Sequence, residues 1–321
     1  MADAYPLVFE PMLIEKVWGG RRLARLGKPV AEGARVGESW EIADLASTSP
    51  TGAGGGERVS VIANGPLVGR TLREACERWG DDLAAGCSDA FPLLVKLLDA
   101  EENLSVQVHP SEAYAAAHAD AHLKTECWYV LQADEGGLIY KGVKPGVDEA
   151  EFRAAIEAGN VPEVMASVPA VAGEMHELPS GTVHALGAGV MVAEIQTPSD
   201  STFRVFDWGR SDRELHIDEA MACIDFGPAP AARTSVDGVL CENTFFRVSE
   251  LRGHCEEKAI GDGCRVVMVV GGMGAAIASR ASAFDEIECR PGATVLIPAA
   301  CGDDAVLRAG PGTVCLVVEP R

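Results

Sequence analysis

Four residues with metal-ligating side chains fall in three strand-like segments of the sequence: Gln107, His109, Glu126 and His184. In an extended strand, residues i and i+2 project from the same face, so SVQVHP presents Ser105, Gln107 and His109 together. Two neutral imidazoles, a carboxylate and an amide oxygen make a suitable ligand set for a zinc-type metal, with positions left for water or substrate. The alternative is a set of ordinary hydrogen-bonded polar residues on half-buried strands.

Charged residues also interrupt apolar segments elsewhere. Lys96 stands among leucines in PLLVKLLDA, Glu194 lies in the apolar run VAEIQT, and Arg204 lies between Phe203 and Val205. A lysine in such a segment usually extends to the surface and less often points into a site. The arginine is suited to hold a phosphate or carboxylate by a fork of hydrogen bonds. Taken alone, however, Glu194 and Arg204 are better explained as parts of an internal, salt-bridged structure.

Three other patterns and one glycine-rich stretch have ordinary explanations. His118 and His122 are spaced i, i+4 in AAAHADAHLK, but the glutamate of a zinc protease helix is absent between them. The glycines of VVMVVGGMGAA (266–276) indicate a turn between two strands rather than a dinucleotide loop. SDSTFR lacks the G-x-S-x-G pattern of a serine hydrolase, and the glycine-rich stretch 49–57 lacks the lysine of a phosphate loop.

The elements that must position these residues are mainly strands. We expect a strand over 39–44, a surface helix over 71–83, short strands with glycine and proline turns from about 104, and helical stretches over 111–124 and 148–159. A second β-rich segment follows about 235, after a stretch of linker composition near 225–238. This pattern is typical of a sandwich or small barrel. It predicts one domain over 1–230 and a smaller one over 231–321.

The composition of the chain disfavours several classes of binding partner. With 27 basic and 48 acidic residues in 321, the net charge is −21, which disfavours binding to nucleic acid or to an anionic membrane and repels anions at long range. No apolar run reaches the ~18 residues of a membrane span, and the N-terminal segment lacks the features of a signal peptide. The ten cysteines form no CxxC pair. We therefore expect a cytoplasmic protein with reduced, mostly buried thiols.

Taken in order, several segments resemble those of type I mannose-6-phosphate isomerases in their short bacterial form. The resemblance covers nearly the whole chain and includes GESWEIAD, FPLLVKLLDAEENLSVQVHP, KTECWYVL and PSGTVHALGAGVMVAEIQTPSDSTFRVFDWGR. It implies a mainly β fold with helical insertions, built as two cupin-like jelly-roll β-barrels of which the C-terminal one is degenerate. It also implies zinc-dependent interconversion of mannose 6-phosphate and fructose 6-phosphate.

The resemblance further assigns roles to individual residues. The implied metal ligands are Gln107, His109, Glu126 and His184; the implied catalytic residues are Lys124, Glu194 and Arg204; and the implied substrate-binding residues are Lys96, Ser105, Trp18 and Glu38. Isomerisation through an enediolate needs a base that reaches two adjacent carbons and positive charge near the oxygens. Lys124 and Glu194 are both candidates for the base.

Two other kinds of function stay open at this level. A related cupin could isomerise or epimerise a different phosphosugar, or use iron in an oxygenase reaction, since two histidines and a carboxylate also hold iron. A sugar-sensing cupin without catalysis is the non-enzymatic alternative. The expected partner is a small phosphosugar rather than nucleic acid or membrane, and the sequence does not define an oligomeric state.

Overall fold

Strands dominate the computed structural model, which describes residues 4–48, 55–87, 90–211 and 213–321. The first fourteen strands are β1 Leu7–Val8, β2 Met12–Gly20, β3 Val36–Ile42, β4 Asp44–Leu45, β5 Arg58–Val59, β6 Leu94–Ala100, β7 Val106–Val108, β8 Glu126–Ala133, β9 Leu138–Val143, β10 Met165–Pro169, β11 Met175–Leu178, β12 His184–Leu186, β13 Val190–Gln196 and β14 Phe203–Phe206. The others are β15 Val239–Glu242, β16 Phe246–Arg252, β17 Cys255–Ala259, β18 Arg265–Gly271, β19 Ala275–Ser279, β20 Ile287–Cys289, β21 Thr294–Ile297, β22 Ala305–Ala309 and β23 Val314–Pro320. The mainly β fold with helical insertions is confirmed. Most of the glycine-rich stretch 49–57 lies outside the described residues.

The helices are short, and the first three begin at side-chain caps. They are α1 Leu72–Trp79, α2 Glu112–Ala117, α3 Glu149–Ala158 and α4 Ile217–Met221. Thr71 and Glu74 form a reciprocal capping box at α1, and α3 runs from the Asp148 cap to Gly159 in the left-handed conformation. The helices expected near 71–83 and 148–159 are confirmed.

The prediction of a helix over 111–124 is wrong for the second half of that range. The helix ends at Ala117, because His118 takes an extended backbone (φ −131°, ψ 107°). The carbonyls of His122 and Leu123 accept hydrogen bonds from the hydroxyls of Ser199 and Thr197 instead of from helical amides. Contacts with the distant 197–199 segment therefore replace local helical bonds, which a periodicity argument does not detect.

Of the five antiparallel sheets among the described residues, β4 and β5 form a two-stranded one and the other four are stacked face to face. We call them the facing sheet (order β10-β9-β12-β7-β14), the central sheet (β11-β8-β13-β6-β2-β3), the third sheet (β1-β21-β18-β23-β16-β15) and the fourth sheet (β17-β22-β19-β20). Within the described residues none of them closes into a barrel. Helices α3 and α4 cover the outer face of the facing sheet, where Phe152 and Met221 are buried.

The central sheet is buried on both faces, and this explains the long apolar runs in its strands. In β6, Val95 and Leu97 pack toward the third sheet, whereas Leu98 packs toward the facing sheet. Lys96 alternates with Val95 and Leu97, so its side chain enters the space between the central and facing sheets. Lys96 therefore points into a buried site and does not extend to the surface.

The N-terminal strand crosses the expected domain division. Leu7 of β1 pairs with Leu296 of β21, so the first strand completes the third sheet with the C-terminal strands. The stretch 225–238 contains only isolated bridges at Arg233 and Val236, in keeping with its linker composition. A domain boundary near 230 stays a prediction. None of the described helices combines the length and the hydrophobicity that a membrane-spanning helix requires.

Candidate active site

A row of directly paired residues crosses the inner face of the central sheet. Trp40 pairs with Lys96, Lys96 with Glu194, Glu194 with Trp128, and Trp128 with His176. Directly opposed residues in antiparallel strands project from the same face. These five residues, the central row, therefore point together toward the facing sheet.

A second row crosses the facing sheet. Arg204 pairs with Gln107, Gln107 with His184, and His184 with Lys141. We call these four residues the facing row. The His184 ring meets the Trp128 ring edge to face, with 5.2 Å between centroids, so the two rows meet across the sandwich. The nine residues of the two rows, each from a different strand, thus face one interlayer space.

The expected metal ligands converge in this space. His109 Nε2 lies 3.4 Å from one oxygen of Glu126 and His184 Nε2 lies 3.2 Å from the other, with all three side chains almost fully buried. Their ligand atoms all lie within 4.8 Å of one another. The side-chain amide of Gln107 adjoins His184 Nε2 at 3.4 Å, and a rotation of that amide exchanges its nitrogen for its oxygen. We call His109, Glu126 and His184 the metal triad.

The hydrogen bonds of the two histidines suit metal binding. His109 Nδ1 lies 2.9 Å from the Ser201 carbonyl, and His184 Nδ1 lies 2.8 Å from the Thr182 carbonyl. A carbonyl accepts, so each Nδ1 carries the proton and each Nε2 presents a lone pair toward Glu126. Burial, and then the nearby Lys124 ammonium, lower the pKa of His109 to about 3, which keeps this ring neutral. Two lone pairs and a carboxylate facing one another fit a divalent cation.

Lys124 supplies positive charge beside the triad. Its Nζ lies 2.7 Å from a Glu126 oxygen and 3.1 Å from His109 Nε2. Burial alone would raise the pKa of Glu126, but Lys124 and the imidazoles hold it well below its usual value. The carboxylate therefore stays ionised throughout the physiological range.

Alternating charges connect the central row to β2 and β3. Glu194 is ion-paired to Lys96 at 2.8 Å and accepts a hydrogen bond from the Trp128 indole at 2.7 Å. Lys96 also lies 4.0 Å from Glu38, which pairs with Lys16 at 3.0 Å. Burial would raise the pKa of Glu38, yet Lys16 and Lys96 hold it at about 2. Burial would lower the pKa of Lys96, yet Glu194 and Glu38 raise it.

A cavity of about 290 Å³ opens onto these groups. Eight of the residues expected at the site line it: Trp18, Glu38, Lys96, Ser105, Gln107, Lys124, Glu194 and Arg204. Gln107 and Lys124 also contact the metal triad, so the triad adjoins the cavity. The structure thus brings together the whole set of expected site residues, while the role of each stays a prediction.

Sequence reasoning missed other lining residues, among them Lys16, Trp40, Trp128 and Arg213. Trp40 and Trp128 are direct strand partners of Lys96 and Glu194, so register would have found them once those strands were paired. Arg213 is held by Asp207 at 2.8 Å, and the same carboxylate accepts from Arg210 at 2.7 Å. Arg210 also lies 3.6 Å from Glu102, so Arg213 is the arginine of this pair that reaches the cavity.

The three alternative motifs behave as ordinary structure. His118 and His122 are exposed and share no helix. Gly272 and Gly274 connect β18 to β19 with positive φ, as a turn requires. The hydroxyls of Ser199 and Ser201 make local and backbone hydrogen bonds at the start of the arginine-bearing segment.

Comparison with known proteins agrees with this geometry. The family model described as phosphomannose isomerase type I, catalytic domain, matches residues 8–140. The mannose-6-phosphate isomerase of Streptococcus mutans is 39% identical over 257 residues, covering 76% of this chain and 78% of the relative. This chain belongs to the type I phosphomannose isomerase family.

Further members of the phosphomannose isomerase family extend the agreement. The Bacillus subtilis mannose-6-phosphate isomerase ManA is 37% identical over 235 residues, 71% of each chain. A crystal structure of the mannose 6-phosphate isomerase from Bacillus subtilis superposes with a TM-score of 0.82 at 28% identity, covering 98% of this chain and 99% of that one. The family therefore accounts for the third and fourth sheets as well as for the segment that the family model matches.

Proposed function

We propose that this protein interconverts D-mannose 6-phosphate and D-fructose 6-phosphate. The observation that carries the proposal is a single cavity joining the metal triad, the Glu194 carboxylate and Arg204 in a chain of this family. Aldose–ketose isomerisation needs a base, a stabiliser of oxyanion charge and an anchor for the phosphate. Each requirement has a matching group on the wall of this cavity.

We infer that the metal is Zn²⁺, held by His109, Glu126 and His184 with the amide oxygen of Gln107 as a fourth ligand. Nitrogen and oxygen donors of this kind suit zinc, although other divalent ions share the preference. A bound divalent metal supplies Lewis-acid stabilisation of charge on the sugar oxygens. The chain itself fixes the direction of each ligand through the carbonyls of Ser201 and Thr182.

For proton transfer we assign the base to Glu194. Its carboxylate lies on the cavity wall, where Lys96 and the Trp128 indole fix its orientation. In the direction from aldose to ketose, the carboxylate takes the proton from C2 and returns it to C1, while a second proton passes from the C2 oxygen to the C1 oxygen. Lys124, an ammonium paired with Glu126, has protons to donate to those oxygens and no lone pair with which to accept one.

Arg204 is the proposed phosphate anchor, together with Ser105, which directly precedes the neighbouring strand β7. One guanidinium nitrogen of Arg204 donates to the Glu214 carbonyl at 2.9 Å, which fixes the plane of the fork. Lys96 is engaged by two carboxylates, so we assign it to positioning Glu194 and neutralising the cavity. Trp18 and Glu38 also line the cavity and are the remaining proposed substrate contacts.

The proposed function also suggests how the four stacked sheets divide into two halves. We infer that the central and facing sheets form the metal-binding cupin-like half, residues 1–230, and that the third and fourth sheets form the degenerate half, residues 231–321, with β1 exchanged into it. Both halves would be derived from jelly rolls. A cytoplasmic location, as expected from the sequence, completes the proposal.

The test is turnover of purified protein after metal analysis, measured by coupling fructose 6-phosphate formation to NADPH. We expect one divalent ion per chain and turnover of mannose 6-phosphate but not of glucose 6-phosphate. Turnover of a different phosphosugar in preference to mannose 6-phosphate would favour the related isomerase or epimerase. Tight phosphosugar binding without turnover would favour a sensor.

A further inference from the structure

Lys124 reaches the cavity from an irregular stretch of backbone. In the part of the chain that the structure describes, it belongs to none of the helices or strands, because α2 ends at Ala117 and β8 begins at Glu126. Its side chain is nevertheless 5% exposed, and its Nζ lies 2.7 Å from a Glu126 oxygen. Backbone groups in such a stretch need hydrogen-bond partners from another part of the chain.

One residue of a neighbouring segment supplies those partners. The pairing of β13 with β8 stops one residue before Thr197, whose amide donates to the Thr125 carbonyl at 3.1 Å. The hydroxyl of Thr197 donates to the Leu123 carbonyl at 3.1 Å. The same hydroxyl accepts from the Thr125 amide at 3.2 Å. A single side chain therefore binds the backbone on both sides of Lys124.

The residues that follow Thr197 hold the next part of the stretch. The Ser199 hydroxyl donates to the His122 carbonyl at 3.1 Å, and the Ser201 hydroxyl accepts from the His122 amide at 3.3 Å. Segment 197–201 thus fixes the backbone that leads into β8. Within this segment, Thr197 is the residue that bonds to both neighbours of Lys124.

The Thr197 hydroxyl matters here for hydrogen bonding rather than for packing. A hydroxyl has one donor and two acceptor lone pairs, so it can bind a carbonyl and an amide at once. Valine has nearly the same shape but can do neither, and both backbone groups would lose this partner. Serine keeps the hydroxyl and loses only the methyl group. Substitutions at this position therefore separate the hydrogen bonds from the packing.

We propose that Thr197 is a positioning residue for Lys124, because its hydroxyl fixes the backbone from which that side chain reaches the cavity. The inference rests on the proposed function, which gives Lys124 a part in the chemical step. Lys124 lines the cavity, whereas Thr197 is buried and is not among the lining residues. Thr197 therefore acts through Lys124 and does not touch substrate. A displaced Lys124 lowers kcat more than it raises KM.

The test measures kcat and KM for mannose 6-phosphate in purified variants, with bound metal determined on each sample. We expect Thr197→Val to lower kcat by about 10- to 100-fold, as for a misplacement of about 1 Å, with KM within about threefold of the parent. Bound metal should be unchanged, because Glu126 has its own place in the ladder between β8 and β13. Thr197→Ser should return kcat to within about threefold of the parent.

Thr313→Val is the matched control. Thr313 directly precedes β23 and is buried, and its hydroxyl donates to the Gly274 carbonyl at 2.7 Å. This variant also removes a buried hydroxyl that donates to a backbone carbonyl, but away from the cavity. We expect a lower melting temperature with parental kcat. A similar loss of kcat in both valine variants would attribute the loss to general destabilisation and overturn the role of Thr197.

The outcomes separate this inference from the proposed function. Turnover by the parent, with a loss of kcat in Thr197→Val that serine restores, supports both. Turnover by the parent overturns the role of Thr197 alone if Thr197→Val keeps parental kcat, changes only KM or loses its metal, or if serine does not restore kcat. Absence of turnover in the metal-loaded parent overturns the proposed function and the inference with it. If Thr197→Val does not fold, Thr197→Ala is read in the same way, and failure of both to fold overturns the proposal.

Discussion

Gly37→Ala is expected to damage the active site without affecting the metal centre. In β3, a Cβ added at Gly37 would lie 2.6 Å from Trp18 Cζ3 and 2.7 Å from both Cβ and Cγ of Lys16. Carbon atoms in favourable contact are about 3.5–4.0 Å apart, so the strand segment carrying Lys16 and Trp18 must move by about 1 Å. Both residues line the cavity, and Lys16 holds Glu38.

The magnitude follows from that displacement. A misplacement of about 1 Å near reacting groups lowers the rate by about 100-fold, and overpacking a buried position lowers the free energy of unfolding by about 1–3 kcal/mol. We therefore expect kcat/KM for mannose 6-phosphate to fall by about 10- to 100-fold. Metal content should be unchanged, because the metal triad lies on other strands or beside them.

The assay is the NADPH-coupled isomerase reaction, with metal analysis and a thermal melt on the same sample. Gly271→Ala is the matched control, since its added Cβ would meet only Val314 at the ordinary distance of 3.8 Å. A folded, metal-loaded Gly37→Ala protein with parental kcat/KM would refute the reasoning. Equal losses in the two variants would show that the effect does not come from the cavity wall.

Four further predictions address the site. His184→Ala should remove both bound metal and turnover, as measured by metal analysis and the coupled assay. Glu194→Gln should keep the metal and the fold while kcat falls by about 10²–10⁴-fold, as for loss of a general base; parental kcat would return the base assignment to Lys124. In the metal-free protein, His176 alone should account for a loss of up to roughly 3 kcal/mol of stability as pH falls from 6.5 to 4, because it is neutral in the fold and the unfolded chain binds the proton in that window. His176→Phe should remove this contribution from a urea-denaturation pH series and leave that of His109. Substrate capture, kcat/KM, should rise with moderate salt, because a net charge of −21 repels a dianion over the ~8–10 Å screening length, whereas a steady fall would indicate a positive field at the cavity mouth.

Local chemistry made several features predictable. The capping residues Thr71 and Asp148 fix where α1 and α3 begin, and the i, i+2 spacing of Gln107 and His109 brings both to the site. These signals depend on neighbours along the chain, so periodicity and capping rules detect them. The prediction of a helix reaching 124 was wrong because hydroxyl groups of the 197–199 segment donate hydrogen bonds to the backbone carbonyls of residues 122 and 123. This contact joins segments that are distant in the sequence.

The sequence by itself determined the kinds of residue at the site and the family that they resemble. Only the tertiary structure decided which strands lie side by side, and hence that Trp40, Lys96, Glu194, Trp128 and His176 form one row. The alternation of side chains along one strand is a local property of the sequence. Which strands pair, and in which register, depends on how the two faces of the central sheet are buried. For that reason Lys96 and Glu194 are each visible in the sequence as a charged residue in an apolar run, whereas the ion pair that they form follows only from the register of β6 and β13.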